Sequence, residues 1–301
     1  MEFSTAEHFI GASAAILSAL CWAVSALLFA QISQSISAIS LNLVKGLVAI
    51  VCLSLITFPI ILSVITTNQW LFLALSGLLG IAIGDTLYFV TLRQLGARLT
   101  LLMSTLIPVV TASIAVFLFS ENLGVTAALG LALTIGSVFY VMWSKAERTD
   151  KAKNIPFGLS LGMLFITTES SAILLTKAAV LEMDSVLVTF IRQVIGVAGL
   201  VFWMMATRTF VENTKPLTAL KTKKWRLIGA SIIGGVLGTW LSVYALKMTY
   251  ASVAVVLNSV SPLFIIPLSM WILKEDVPRS SQIGAFIAVF GIVIYFLQIN
   301  T

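Results

Sequence analysis

Four ionisable side chains stand inside runs that are otherwise apolar: Lys45, Asp85, Glu169 and Arg192. Asp85 lies in "IGDTLYF" (83–89) and Glu169 in "ITTESSA" (166–172). A charge at bilayer depth costs about 2.5–3.5 kcal/mol on insertion scales, so such groups face an internal cavity and pair with one another. Burial disfavours the ionised form of a carboxylic acid, and a neighbouring cation favours it. Between those limits an acid can load and release a proton. Two readings of Asp85 and Glu169 follow: a proton-carrying carboxylate, or a permanently ionised partner of Lys45 or Arg192. The two bases also have two readings. They attract an anionic group in the cavity, or they bond helix-end carbonyls and snorkel towards an interface.

These four residues matter only if the runs around them cross a bilayer, and the composition says that they do. The chain has 301 residues, 59% of them hydrophobic and only 10% charged. Its mean hydropathy is +1.07. A soluble domain is about 45–50% apolar and about 25% charged. Cys21 and Cys52 both sit in apolar runs, form no C-x-x-C, and read as packing residues. The single histidine, His8, excludes a histidine-rich metal site and a histidine-based triad. A net charge of +6 would fit nucleic acid, but the basic residues gather in short links between apolar runs, as membrane topology requires. The first residues, "MEFSTAEHF", carry Glu2 and Glu7 and no Lys or Arg. A secretory signal begins with a positive region, so the first apolar run is expected to be a mature helix.

About 20 apolar residues span a bilayer core. Ten runs meet that length: 10–30, 37–60, 70–92, 98–119, 124–143, 157–179, 186–206, 226–247, 250–273 and 281–298. The links 144–156 and 207–226 are polar and basic, and read as segments that could not be buried. Displaced by 154 positions, Gly80 falls on Gly234, Gly84 on Gly238, Pro108 on Pro262 and Glu121 on Glu275. Displaced by 147, Gly11 falls on Gly158 and Lys45 on Arg192. The expected organisation is a first five-helix unit (1–143), a basic linker (144–156) and a second unit (157–301). Five crossings are odd, so the second copy runs upside down. The expected fold is an all-α integral membrane protein, with ten transmembrane helices as two inverted five-helix repeats around a central cavity. Inverted repeats are the architecture of secondary transporters, with the site near the midplane.

Basic residues set the orientation. Arg93, Arg98, Lys145, Arg148, Lys151, Lys153, Arg208, Lys215, Lys221, Lys223, Lys224, Arg226, Lys274 and Arg279 fall on one side, and Lys177 and Lys247 on the other. The positive-inside rule places the first set in the cytoplasm and both termini outside.

The stretches "GDTLYFVTLRQLGARLTLLMSTLIPVVTASIAVFLFSENL" (84–123) and "GTWLSVYALKMTYASVAVVLNSVSPLFIIPLSMWILKEDV" (238–277) resemble the paired domains of EamA-type proteins of the drug/metabolite transporter superfamily. That pattern has a Gly-bearing third helix, a fourth helix with a mid-span proline and a terminal acid, and a Gly-containing fifth. Pro108, Pro262, Glu121 and Glu275 occupy those places. The resemblance covers nearly the whole chain and occurs twice. It implies ten helices, a central cavity, export or exchange of small metabolites, and a place in a bacterial inner membrane. It also implies termini in the cytoplasm, opposite to the charge rule. It does not name the substrate, since the family carries amino acids, sugars, nucleotide derivatives and toxic amphiphiles.

The repeat sorts the candidate residues. Lys45 and Arg192 are equivalent positions, whereas Asp85 matches Thr239 and Glu169 matches Trp22. The unmatched acids are read as serving chemistry rather than scaffold. Ser18, Trp22, Ser25 and Phe29 recur on one helical face, expected to line the cavity as Glu169 does. Pro108 and Pro262 have no N–H, which would free the carbonyls of Ser104 and Asn258. Free backbone at membrane depth is tolerated only against protein or a wet cavity, so both positions are expected at the site, unless the kinks serve packing alone. Pro267 adds a second break. Gly80-x-x-x-Gly84 and Gly234-x-x-x-Gly238 are small-xxx-small motifs that let helices touch. Tyr88, Trp240 and Tyr244 could stack on a substrate ring or cation, or simply pack.

The leading reading is a secondary transporter of a small organic solute such as an amino acid or amphiphile. It would act by alternating access with lipid as its surroundings, as a monomer or homodimer. A membrane-embedded enzyme using Asp85 and Glu169 is an alternative, but the chain has no nucleophile elbow, metal cluster or phosphate loop. A non-transporting subunit would want a large soluble domain, and a channel a filter motif. No cofactor or nucleotide motif is found, and nucleic acid is not an expected partner.

Overall fold

The computed structural model describes residues 4–57, 65–119, 129–130, 132–137, 140, 155–218, 223–272, 274 and 276–297. Among these residues the chain is helical throughout, with short connections. In order the helices are α1 (Thr5–Ile32), α2 (Ala38–Thr57), α3 (Thr67–Ser76), α4 (Asp85–Ser104), α5 (Leu106–Phe119), α6 (Ile155–Val180), α7 (Ser185–Ala206), α8 (Phe210–Thr218), α9 (Lys224–Ala230), α10 (Thr239–Met248), α11 (Ala251–Asn258), α12 (Ser261–Ile272) and α13 (Arg279–Leu297). Two π-helical stretches, Gly77–Gly84 and Ser231–Gly238, join α3 to α4 and α9 to α10.

Local sequence explains the helix starts. Ser4 and Glu7 form a capping box on α1, with Glu7 N–H donating to Ser4 Oγ at 3.3 Å and Ser4 N–H to Glu7 Oε2 at 2.8 Å. Thr66 and Gln69 do the same for α3. Asp184 Oδ1 accepts from the N–H groups of Val186 and Leu187 at the start of α7.

Among the described residues, seven helical stretches are long and apolar enough to cross a membrane: Thr5–Ile32, Ala38–Thr57, Thr67–Ser104, Ile155–Val180, Ser185–Ala206, Lys224–Met248 and Val253–Ile272. The third of these joins two of the ten runs. Its path turns at Gly96, whose φ of 80° and ψ of 171° suit a residue without a Cβ. Most of the run 124–143 lies outside the described residues, as do Glu121, Glu275 and the linker 144–154. α13 covers the run 281–298 as far as Leu297.

Paired contacts relate the first and second parts of the chain. A Cβ on Gly11 of α1 would touch Met248 and Thr249, whereas one on Gly158 of α6 would touch Leu95 and Gln94. So α1 begins where α10 ends, and α6 begins where α4 turns. Those are opposite ends of the bundle. At one end His8 Nδ1 lies 2.7 Å from Thr249 Oγ1, Lys177 Nζ donates to the carbonyls of Leu246 and Thr249, and Lys247 Nζ donates to that of Met183. At the other, Gln34 Nε2 donates to the carbonyl of Arg93, Lys223 Nζ to Ser35 Oγ, and Arg226 to Gln31.

The link 207–226 departs from expectation. It contains α8, and Asn213 is only 8% exposed. Ser37 Oγ donates to Asn213 Oδ1, and Ser40 Oγ to its carbonyl at 2.6 Å. A basic segment thus docks through one asparagine, whose side-chain and main-chain oxygens each accept from a hydroxyl at the start of α2, which charge counting does not detect.

Small residues let the helices close in. Ala15, Ala19, Ala23 and Ala26 of α1 are fully buried. Phe29, Phe89, Leu92 and Ile166 belong to one buried cluster, and Leu73, Val180, Leu187 and Val243 to a second. Large apolar side chains also cover the outer face, among them Phe9, Leu55, Phe202, Trp271 and Phe286. Contiguous exposed apolar surface on this scale belongs in lipid.

Candidate functional site

The site begins with a change of helical register. In the stretch Gly77–Gly84 the Asp85 N–H donates five residues back, to the carbonyl of Gly80. In Ser231–Gly238 the Thr239 N–H likewise reaches Gly234. Where a π register returns to the α register of four, one carbonyl is passed over. Those carbonyls belong to Ile81 and Gly235. Each is met by a side-chain amide: Asn42 Nδ2 donates to Ile81 O at 2.7 Å and Gln193 Nε2 to Gly235 O at 3.3 Å. Unsatisfied backbone is not tolerated in a lipid-depth core, so these amides hold the joints. Sequence reasoning missed both. Their signal was the presence of amides, one on α2 and one on α7, within apolar runs.

The glycines of the joints receive the opposite part of the chain. A Cβ on Gly80 would stand 2.9 Å from Ala172 Cβ, 3.1 Å from Arg192 Nη2 and 3.5 Å from Glu169 Oε2. One on Gly84 would stand 3.3 Å from Thr168 Oγ1 and 3.4 Å from Glu169 Oε2. Gly234 packs on Ser25, and Gly238 on Cys21 and Trp22. One on Gly235 would lie 2.8 Å from Lys45 Cγ. Trp22 and Glu169, equivalent by the repeat, therefore each face the second glycine of the other unit.

Lys45 and Asp85 form a buried ion pair, with side chains 3% and 10% exposed. Lys45 Nζ also lies 5.7 Å from the Trp22 ring and 5.8 Å from that of Phe89. Of the readings open for Asp85, the paired one is found. Neither helix-end carbonyls nor an interface holds Lys45. Glu169 and Arg192 make no ion pair within 4.0 Å among the described residues. Arg192 is 6% exposed, and its Nε has no hydrogen-bond partner.

Two adjoining cavities contain these groups. The larger, about 650 Å³ counting the space open to solvent at its mouth, is bordered by Trp22, Asp85, Tyr88, Ser104, Glu169 and Asn258. The second, about 440 Å³ counted the same way, is bordered by Trp22, Lys45, Asp85, Glu169 and Arg192. Ser242 borders both. Asn258 Nδ2 donates to Ser242 Oγ at 2.8 Å, leaving its Oδ1 unpartnered, as is the buried Tyr88 hydroxyl. Tyr88 stands edge-on to Trp22, with ring centroids 6.3 Å apart. Trp240 lies elsewhere: its Nε1–H donates to Ser185 Oγ at 3.3 Å and its ring packs on Tyr244.

The prolines act differently from the sequence reading. Mid-helix prolines would have freed the carbonyls of Ser104 and Asn258. Instead α4 ends at Ser104 and α11 at Asn258, and new helices begin at Leu106 and Ser261. Pro108 and Pro262 fall in first turns, where an amide has no helical partner to lose. The breaks close with tight turns, Thr105 N–H to Leu102 O at 3.1 Å and Ser259 N–H to Val256 O at 3.0 Å. Ser104 and Asn258 still border the larger cavity because the breaks do. Pro267 is inside α12 and exposed on its outer side.

Comparison with known proteins gives the frame for this geometry. The model of the EamA-like transporter family matches residues 9–143 and 156–297. An uncharacterised transporter of Archaeoglobus fulgidus is 25% identical over 287 residues, covering 94% of this chain and 96% of that protein. A crystal structure superposes with a TM-score of 0.67 at 13% identity over 99% of this chain and 98% of the other, a likeness of fold. A duplicated match over both parts of the chain, with apolar helices on an outer face fit for lipid, identifies a multi-pass membrane protein that belongs to the EamA-like transporter family.

Proposed function

We propose that this chain is a secondary transporter of a small organic solute, working as an exporter or exchanger by alternating access. The observation that carries the reading is the cavity bordered by Trp22, Asp85, Glu169 and Asn258, contributed by both parts of the chain. Ten transmembrane helices in two inverted five-helix units would put it near the midplane, where such carriers bind their cargo. The opposite starting ends of α1 and α6, and the matched joints at Gly80 and Gly234, support that arrangement. The gathering of Arg93, Lys223 and Arg226 at one end supports a cytoplasmic location for that end.

In this reading Glu169 couples proton movement to transport. Asp85 is held by Lys45, whereas the Glu169 carboxylate faces the cavity without an ion pair among the described residues. The glycine joints are the points about which the units rock. The test is flux of candidate solutes in vesicles carrying the protein, with and without a pH gradient. A gradient-dependent flux that Glu169→Gln abolishes is the expected result. The same coupling in Glu169→Gln and wild type would remove the proton role. Absence of any flux across a broad metabolite panel would remove the transporter reading.

A further inference from the structure

We propose that Arg192 is the anchor for a carboxylate on the transported solute, so that the cargo is a small organic acid or acid-bearing molecule with an apolar body. This rests on the transporter reading and names its substrate class.

The two bases of the site are equivalent by repeat but not by state. Lys45 has its counter-charge, Asp85, in direct contact. Arg192 has none: no carboxylate lies within 4.0 Å of it among the described residues. It is 94% buried by its 6% exposure, and its Nε is sealed from solvent without a partner. A guanidinium carries five N–H donors in a planar fork that matches a carboxylate bidentately. Leaving such a group buried and unserved is costly, and a ligand that serves it binds by relieving that cost.

Position agrees with this role. Arg192 borders the smaller cavity together with Ser242, whose hydroxyl accepts from Asn258 and keeps its proton to donate to a second carboxylate oxygen. The larger cavity continues past Ser242 to Phe165, Ile107 and Val255, room for an apolar body. Gly80 leaves the space in which the guanidinium lies, since a Cβ there would sit 3.1 Å from Nη2. Glu169 Oε2 would be 3.5 Å from the same Cβ, so it stands close by without pairing. A carboxylate on Arg192 therefore arrives beside Glu169 and repels it. That repulsion links loading of the solute to the charge on Glu169.

The probes are three carboxylates, each matched to its neutral amide (acetate and acetamide, hexanoate and hexanamide, phenylacetate and phenylacetamide), and a fourth pair, leucine and leucinamide, in which both members keep the ammonium and only the first has the carboxylate. Binding to the purified full chain is read by thermal shift and by isothermal titration. The expected result is that the carboxylate of at least one pair binds about ten- to a hundredfold tighter than its amide, the range for a charge-assisted hydrogen-bonded pair. Arg192→Gln erases that preference, and Arg192→Lys restores part of it. Equal effects of every acid and its amide on the wild type overturn the proposal, and need no variant to fold. So does a preference that survives in folded Arg192→Gln. Counterflow of the same compounds in proteoliposomes separates the two readings. Flux indifferent to the carboxylate keeps the transporter and removes the anchor. Arg192-dependent binding without flux of any compound keeps the anchor and removes the transporter.

Discussion

Replacing Lys45 with Met strands the Asp85 carboxylate in a buried setting. The two side chains are 3% and 10% exposed, so salt screens the pair little and the cavity replaces the lost partner only in part. Breaking one member of a buried pair costs about 3–5 kcal/mol. Lys45→Met also loses contacts with the Trp22 and Phe89 rings, each worth about 0.5–2 kcal/mol at this kind of distance. Asp85→Leu strands the ammonium, which retains those rings, so its cost falls at the lower end of the range. Lys45→Met with Asp85→Leu leaves no uncompensated charge. The double variant is therefore less damaged than Lys45→Met alone, and the singles and double disagree by more than about 2 kcal/mol. Reversible unfolding of the full chain in lipid bicelles measures all four corners of the cycle. The same cycle on Glu169 and Arg192, which have no ion pair within 4.0 Å among the described residues, gives the smaller coupling. Additivity of the Lys45 and Asp85 losses within about 0.5 kcal/mol would refute the reasoning.

Other perturbations address other parts of the site. Gly80→Ala forces a methyl to within 2.9 Å of Ala172 Cβ between two helix backbones, and overpacking of that kind costs about 1–3 kcal/mol in the same unfolding assay. Asn42→Leu leaves the Ile81 carbonyl without its donor, for a loss of about 1–3 kcal/mol. Gln193→Leu gives a smaller loss at Gly235, because the bond it removes is longer, 3.3 Å against 2.7 Å; equal or reversed losses would contradict that ranking. A reporter fused after Thr301 scores as extracytoplasmic if the charge partition governs insertion.

Much of this was legible in the residues. Hydropathy alone marked the apolar runs that the described helices occupy, though not where those helices break or join, and internal displacement paired Gly80 with Gly234 and Lys45 with Arg192, all of which meet at the joints. Asp85 and Glu169 announced themselves as acids in apolar runs. Other features were hidden for physical reasons. Which base takes which acid depends on the crossing of α2 with α4 and of α6 with α7, a matter of angstroms that spacing does not encode. A π register leaves no compositional mark, since glycine is as compatible with an α-helix at a packing face. Trp240 looked like a cavity aromatic because it adjoins Gly238, yet rotation by one residue turns it to Ser185. The prolines drew attention to the right places for an incomplete reason. They open helices there instead of bending them.

The glycine joints have a consequence for the chain as two pieces. Each joint is a notch that the first helix of the other piece fills, Ser25 and Trp22 on one side, Ala172 and Glu169 on the other. A fragment ending before the basic linker would offer its notch to acyl chains, which cannot fit it as tightly or satisfy the groups around it. Severed halves made together should therefore recombine into a working whole, while either made alone should be cleared by the cell's quality control.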